Sequence, residues 1–117
     1  MKYVLLVLFC CFSFVAAYAG NPDLIVGKWH MEKLEVSKDN FQTLGNKFLD
    51  FQKGGMVISS KKDSDNMLKG KWTYNANTKQ IIIDNKGKQE IGQVISVSET
   101  QMQILMNEGT FYFSRVQ

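Results

Sequence analysis

GKW, residues 27–29, and TFYFSRV, residues 110–116, are the two stretches that decide the fold. Gly27 has no Cβ, so another chain segment or a large ring can approach it closely. Trp29 offers a large face to bury, and Arg115 lies near the end of the last apolar-alternating run. If the first and last strands are neighbours, the guanidinium can lie over the indole and close one end of a barrel. We therefore predict a structural closure by Gly27, Trp29 and Arg115. In the simpler interpretation, Trp29 is only a core residue and Arg115 is solvated.

Residues 1–19 are predicted to be a secretory signal peptide. Lys2 gives a short positive start, residues 4–17 are almost wholly apolar, and Ala17-Tyr18-Ala19 places small residues before Gly20. A membrane-spanning helix needs about 20 apolar residues, so this run is too short to predict a stable membrane anchor. We expect an exported protein, periplasmic or secreted, whose mature domain is residues 20–117.

The composition of residues 20–117 fits one small domain. Both cysteines, Cys10 and Cys11, lie in the predicted signal peptide, so we expect neither a disulfide nor thiol chemistry in the mature domain. The formal net charge of the whole chain is only +3, which does not favour nucleic acid as a partner.

Short apolar-rich runs, separated by clusters of Gly, Asn, Asp and Lys, recur from residue 25 onward without a helical stripe. In the first run the inward parity changes between Trp29 and Leu34, which predicts a bulge near Glu32-Lys33. Residues 37–45 form the longest polar connection and are predicted to be a lid loop. The predicted strands are residues 26–36, 46–52, 56–60, 67–74, 79–84, 88–98, 100–107 and 110–116.

Eight consecutive strands joined by tight turns favour an all-β fold, an antiparallel up-and-down barrel with no major helix. Closure of such a barrel leaves no exposed strand edge. An orthogonal sandwich of the same strands and a five-stranded Greek-key barrel are the rival architectures. The Greek key leaves three of the predicted strands unused.

The order of these motifs resembles the small secreted bacterial lipocalin-like domains of the calycin group. The matching features are GKW at 27–29, Leu49-x-Phe51 followed by Gly54-Gly55, Gly70-x-Trp72-x-Tyr74, the isoleucines 81–83 and FYFSR at 111–115. The resemblance implies that Trp29 packs against Arg115 at a closed end of the barrel. It also implies a binding role for small apolar molecules.

The sequence offers no constellation that predicts catalysis. His30 is the only histidine and has the opposite parity to Trp29, so we expect it to point outward. Asp63 and Asp65 have the spacing of calcium ligands, but neither the glycine nor the distal glutamate of such a loop follows. A non-enzymatic protein without a cofactor or a metal is therefore expected.

The predicted interior is apolar and rich in aromatic and thioether groups, which suits an adaptable apolar ligand. The same residues can instead fill the core without leaving a void. Two functions remain open. The protein binds a small hydrophobic or amphipathic ligand, or it is an exported protein-binding barrel that inhibits a protease or a lysozyme. The candidate ligand-binding residues are Phe51, Trp72, Tyr74, Gln93, Met102, Met106 and Phe113.

Overall fold

The computed structural model describes residues 22–116. The predicted signal peptide and its boundary at residue 20 lie outside this range. Within the described range, none of the helical structure has the length and apolar character that a membrane span requires.

The described chain is a closed barrel in which every strand pairs antiparallel with its neighbour in sequence. Pairing of the last strand with the first completes the closure, so the predicted eight-stranded up-and-down barrel is confirmed and both rivals are excluded. A 3₁₀ turn at Pro22–Leu24 comes first. It is followed by β1 Gly27–Ser37, β2 Asn40–Phe51, β3 Met56–Lys61, β4 Met67–Asn75, β5 Gln80–Asn85, β6 Lys88–Val97, β7 Gln101–Met106 and β8 Gly109–Arg115.

Successive turns of an up-and-down barrel alternate between its two ends. The β2–β3, β4–β5 and β6–β7 turns and the 3₁₀ turn lie at one end, here called the closed end. The β1–β2, β3–β4, β5–β6 and β7–β8 turns lie at the other, here called the open end. Lys86 and Gly87 show why the turns are tight. Both have positive φ, 55° and 86°, the conformation of a two-residue hairpin turn that follows the strand twist.

The barrel interior is densely packed in its middle and toward the closed end. Gly92 of β6 illustrates the packing, because a Cβ built on it would lie 2.7 Å from Ile104 Cγ2 and 3.3 Å from Ile81 Cγ2. Not even a methyl group fits there without a shift of its neighbours. The buried core consists of Ile25, Trp29, Leu34, Phe51, Val57, Trp72, Ile81, Val94, Val97, Met102, Ile104, Phe111 and Phe113.

The predicted bulge in β1 is present. The register of β1 against both β2 and β8 shifts between Met31 and Lys33. Trp29 and Leu34, which strict alternation would place on opposite faces, are consequently both buried.

The lid loop predicted at residues 37–45 is wrong. Those residues continue the two longest strands of the barrel, and only Lys38 and Asp39 form the turn between them. Asp39 has a φ of 62°, a left-handed conformation that aspartate tolerates in turns. The described pairing of β2 with β3 stops at Lys47, so residues 40–46 extend past β3. Residues 40–46 are exposed except for the half-buried Leu44, and the sequence there lacks the apolar alternation of a half-buried strand.

Candidate functional site

Arg115 and Trp29 organise the closed end. Arg115 Cζ lies 4.2 Å from the centroid of the Trp29 ring, close enough for a cation–π contact. The guanidinium also donates from Nε to the carbonyl of Glu99 at 2.6 Å and from Nη1 to that of Val26 at 2.8 Å. Its Nη2 donates to the carbonyl of Leu24. One side chain therefore ties the entry segment, the β6–β7 turn and β8 together.

Gly27 is needed beside this guanidinium for two reasons. Its φ is 135°, and a Cβ at this position would clash with Arg115 Nη1. Trp29 is fully buried, and its Nε1 donates to the carbonyl of Ile25 at 2.8 Å. Burial lowers the pKa of Arg115, and the nearby negative charge of Glu99 opposes that shift. These contacts give the closed end a structural role.

Four of the seven candidate ligand-binding residues belong to the packed core. They are Phe51, Trp72, Met102 and Phe113, all buried. Phe51 and Trp72 pack edge to face with their ring centroids 5.3 Å apart. The indole Nε1 of Trp72 donates to the carbonyl of Gln52 at 3.0 Å, so its polar atom is already satisfied.

The remaining three candidates lie in three different places. Tyr74 is half-buried near the closed end, where desolvation raises its pKa. Met106 is half-buried at the end of β7, beside the open-end turn. Gln93 lies outside the barrel and donates from Nε2 to the carbonyl of Thr78 at 2.9 Å. The seven residues therefore do not converge on one pocket.

The facing of β6 explains why Gln93, a candidate ligand-binding residue, does not reach the interior. The inward positions are Gly92 and Val94, while Ile91 and Ile95 are exposed. Register with β7 shifts between Val94 and Ser96, and this bulge returns Val97 to the interior. The interior beside Gly92 has no room for a large side chain, so the isoleucines of β6 lie outside.

Apolar side chains at the open end stay accessible to solvent although they belong to the inner face. Leu44, Ile83 and Met106 are half-buried and pack against the core. Leu68 on β4 is directly opposite Ser59 on β3, and Ser59 is opposite Leu49 on β2. Leu49 is in turn opposite the buried Trp29 on β1. Directly opposite residues share a face, so Leu68 faces inward, yet it is 54% exposed. We call this set, Leu44, Leu68, Ile83 and Met106, the mouth.

The outer face of β1, β2 and β8 carries a second group of interacting side chains. Lys33 Nζ lies 4.6 Å from the ring centroid of Phe41 and 4.9 Å from that of Tyr112. The Tyr112 hydroxyl donates to Glu35 Oε1 at 2.9 Å. Phe41 remains 46% exposed. We call this set, Lys33, Glu35, Phe41 and Tyr112, the outer aromatic cluster.

His30 belongs to the outer surface as well. Its Nε2 lies 2.6 Å from the carbonyl oxygen of Gly45, and its ring centroid is 5.0 Å from that of Phe48. In the described part of the chain, no three or more His, Cys, Asp and Glu side chains gather in a way that could hold a metal ion. The contact of His30 with Gly45 lies beside the register shift between β1 and β2.

Comparison with known proteins identifies the fold. No protein-family model and no curated protein matches the chain. Two solved structures do, each with a TM-score of 0.68. A lipocalin-like protein from Bacteroides uniformis shares 13% identity, over 80% of this chain and 99% of its own. An uncharacterized protein from Bacteroides eggerthii shares 12%, over 78% of this chain and 98% of its own. The chain has a lipocalin-like fold.

Of the mouth of this lipocalin-like barrel, the sequence analysis named Met106 as a candidate but missed Leu44. Leu44 was hidden because it is the one large aliphatic residue in the polar stretch that was predicted to be a loop. Alternation in β4 puts Leu68 on the same face as the buried Trp72, but nothing in its own strand indicates that solvent reaches it. The available signal was the position of Leu68 beside a turn at the open end, since inward residues near an open rim are less covered.

Proposed function

We propose that this lipocalin-like barrel is an exported, non-enzymatic protein that binds a small apolar or amphipathic molecule at its mouth. The observation that carries the proposal is the exposure of inward-facing apolar residues at the open end, above all Leu68. Exposed apolar surface inside a rim is favourable to cover, at about 25 cal/mol per Å² removed from water.

The site is shallow because the rest of the interior is occupied by side chains. Trp29, Phe51, Ile81, Met102 and Ile104 are almost completely inaccessible to solvent. A ligand would lie on the half-buried layer above them, against Ile83 and Met106. Asn85, whose inward position follows Ile83 on β5, has a buried Oδ1 with no hydrogen-bond partner in the described structure, and could accept a bond from a ligand.

A matched pair of variants tests the mouth. Leu68 and Ile91 have similar exposures, 54% and 53%, but Leu68 faces the interior and Ile91 the outside. A titration of residues 20–117 with a solvatochromic hydrophobic dye should saturate. Leu68→Asp should weaken binding about tenfold, the size expected for losing one well-covered apolar contact and adding a charge. Ile91→Asp should leave it unchanged. Equal effects of both variants would place the dye elsewhere.

Export is tested separately by the mass of the protein recovered from the periplasm or the medium. The proposal expects a chain that starts at Gly20. A recovered chain that retains residues 1–19 would contradict it.

A protein-binding barrel is the second candidate, and the outer aromatic cluster favours it. Phe41 is exposed on the hairpin that extends past β3, beside Lys33 and Tyr112. Aromatic residues with adjacent cations are common anchors in protein interfaces. If this candidate is correct, the protein inhibits a protease or a lysozyme, Phe41→Ala weakens that inhibition, and Leu68→Asp does not affect it.

A further inference from the structure

We propose that the ligand carries an anionic group, a carboxylate or a phosphate, which is held by Lys47 and Lys61 at the rim of the mouth. This inference rests on the proposed function and names the chemical class of its ligand. The predicted ligand is a single apolar chain with an anionic head.

The strand register places both lysines on the inner face. Lys47 of β2 is directly opposite Lys61 of β3 and, on its other side, directly opposite Met31 of β1. Two residues further along β2, Leu49 is opposite the buried Trp29. Side chains two residues apart on a strand share a face, so Lys47 and Lys61 face inward with Leu49.

The two lysines also lie beside the apolar part of the mouth. Lys61 is two residues beyond Ser59, and Ser59 is directly opposite Leu68. Lys61 ends β3 at the β3–β4 turn, which belongs to the open end. An apolar chain lying on Leu68 therefore has its end close to the two ammonium groups.

This arrangement is unfavourable without an anion. Like charges on directly opposite strand residues destabilise a sheet, and here two ammonium groups share a face. Across residues 22–116, neither Lys47 nor Lys61 takes part in an ion pair. Both side chains are exposed, so they are free to close on a ligand. An anion between them replaces repulsion with two attractive contacts.

The other charged residues at inward strand positions near the open end do not cancel this positive charge. Lys88 is opposite Asn85, and Glu90 is opposite Ile83, so both have inward positions on β6. Both are exposed. They offset each other in formal charge, so Lys47 and Lys61 remain in excess among the inward strand positions. Asp63 and Asp65 lie in the adjoining β3–β4 turn and not on the inner face of a strand.

The experiment compares four amphiphiles with the same tail, each below its critical micelle concentration. They are dodecanoate, dodecyl phosphate, dodecanol and dodecyltrimethylammonium, and binding is measured by dye displacement from residues 20–117. We expect the anions to bind about tenfold tighter than dodecanol, since two exposed charge pairs each contribute modestly. The trimethylammonium compound should bind most weakly, and added salt should reduce the preference for anions.

A charge-matched control separates this site from general basicity. The double variant Lys47→Gln/Lys61→Gln should lose the preference for anions but still bind dodecanol. The control variant Lys69→Gln/Lys71→Gln removes the same charge from the outer face of β4, where Lys69 is opposite Ile58 and Lys71 is opposite Met56. This control should retain the preference for anions. All four lysines are exposed, so the substitutions leave the core intact.

The possible results distinguish this inference from the proposed function. If dodecanol binds as tightly as both anions, and the double variant Lys47→Gln/Lys61→Gln binds all three equally well, the anionic ligand is overturned. The mouth then remains a binding site for apolar molecules. If none of the four amphiphiles binds, both the anionic ligand and the proposed binding function are overturned. Tighter binding of dodecanoate than of dodecyl phosphate supports a carboxylate head, and the reverse order supports a phosphate head.

Discussion

Arg115 stabilises the closed end through three hydrogen bonds to carbonyls as well as through its contact with Trp29. Arg115→Ala should lower the free energy of unfolding by about 2–4 kcal/mol. It leaves carbonyls unpaired and removes packing from the indole face. Urea unfolding monitored by tryptophan fluorescence measures this loss. Arg115→Lys should recover only part of it, because an ammonium cannot reproduce the planar fork. Superimposable curves for Arg115→Ala and the wild type would mean that the closed end does not depend on this residue.

Gly27 provides the second prediction at the residue scale. Gly27→Ala should be more destabilising than Gly54→Ala. Both glycines have positive φ, 135° and 110°, but only a Cβ at position 27 meets another atom, Arg115 Nη1. The cost at position 54 should be about 1 kcal/mol of backbone strain, and the cost at position 27 should exceed it. In an Arg115→Ala background the excess should vanish. If Gly27→Ala still costs more stability than Gly54→Ala in the Arg115→Ala background, the guanidinium is not the cause of the difference.

At this scale the sequence predicted the pair of side chains but not all their partners. The motif and the lone arginine were enough to place Arg115 near Trp29. The carbonyls of Leu24, Val26 and Glu99 could not be foreseen, because backbone acceptors carry no residue-type signal.

At the scale of the element, apolar alternation predicted strands well where one face is buried. It failed for residues 40–46, where β2 extends past β3 and all side chains but the half-buried Leu44 are exposed. Alternation also does not indicate the facing of β6, where Gly92 points inward and the larger Ile91 and Ile95 lie outside. In both places the pattern of residue types reflects local crowding or solvent, which depends on elements distant in sequence.

The pairing of β1 with β8 has a pH dependence that can be measured. The hydrogen bond to Glu35 raises the pKa of Tyr112, and desolvation and the charge of Glu35 act in the same direction. A raised pKa in the folded state means that the contribution to stability is complete below about pH 10 and is lost as the pH rises through the folded pKa. The wild type should therefore lose stability above about pH 10 more steeply than Tyr112→Phe.

Urea midpoints of both proteins from neutral to alkaline pH test this expectation. Some alkaline loss should remain in Tyr112→Phe, because desolvation also raises the pKa of Tyr74. Parallel pH profiles for the two proteins would show that the bond to Glu35 does not influence stability.

At the scale of the whole molecule, the eight-stranded closure followed from counting strands and turns. The division into a filled closed end and an accessible mouth did not. That division depends on how far each strand extends past its neighbour. β2 and β3 are paired only over Lys47–Phe51 and Val57–Lys61, whereas β8 has partners on both sides along nearly all its length. Such offsets arise from the barrel's stagger and leave no mark in a single strand's sequence.

The same offsets between strands predict differences in local stability along the barrel. Amide hydrogens of β7 and β8 should exchange slowest, because these strands are paired on both sides and contribute Met102, Ile104, Phe111 and Phe113 to the core. Those of residues 40–46 should exchange fastest among the strands, since only residues 40–43 have partners in β1 and none of residues 40–46 pairs with β3. The carbonyl of Asn46 accepts a hydrogen bond from Lys62 N–H, which does not protect an amide of this segment. Hydrogen exchange followed by mass spectrometry can compare the two segments in one experiment. An anionic amphiphile should slow exchange around Lys47 and Lys61 without altering β8, because the proposed ligand contacts the rim and not the packed core. Equal protection of residues 40–46 and 101–106 in the free protein would contradict the expected difference between strands paired on both sides and the segment of β2 that extends past β3.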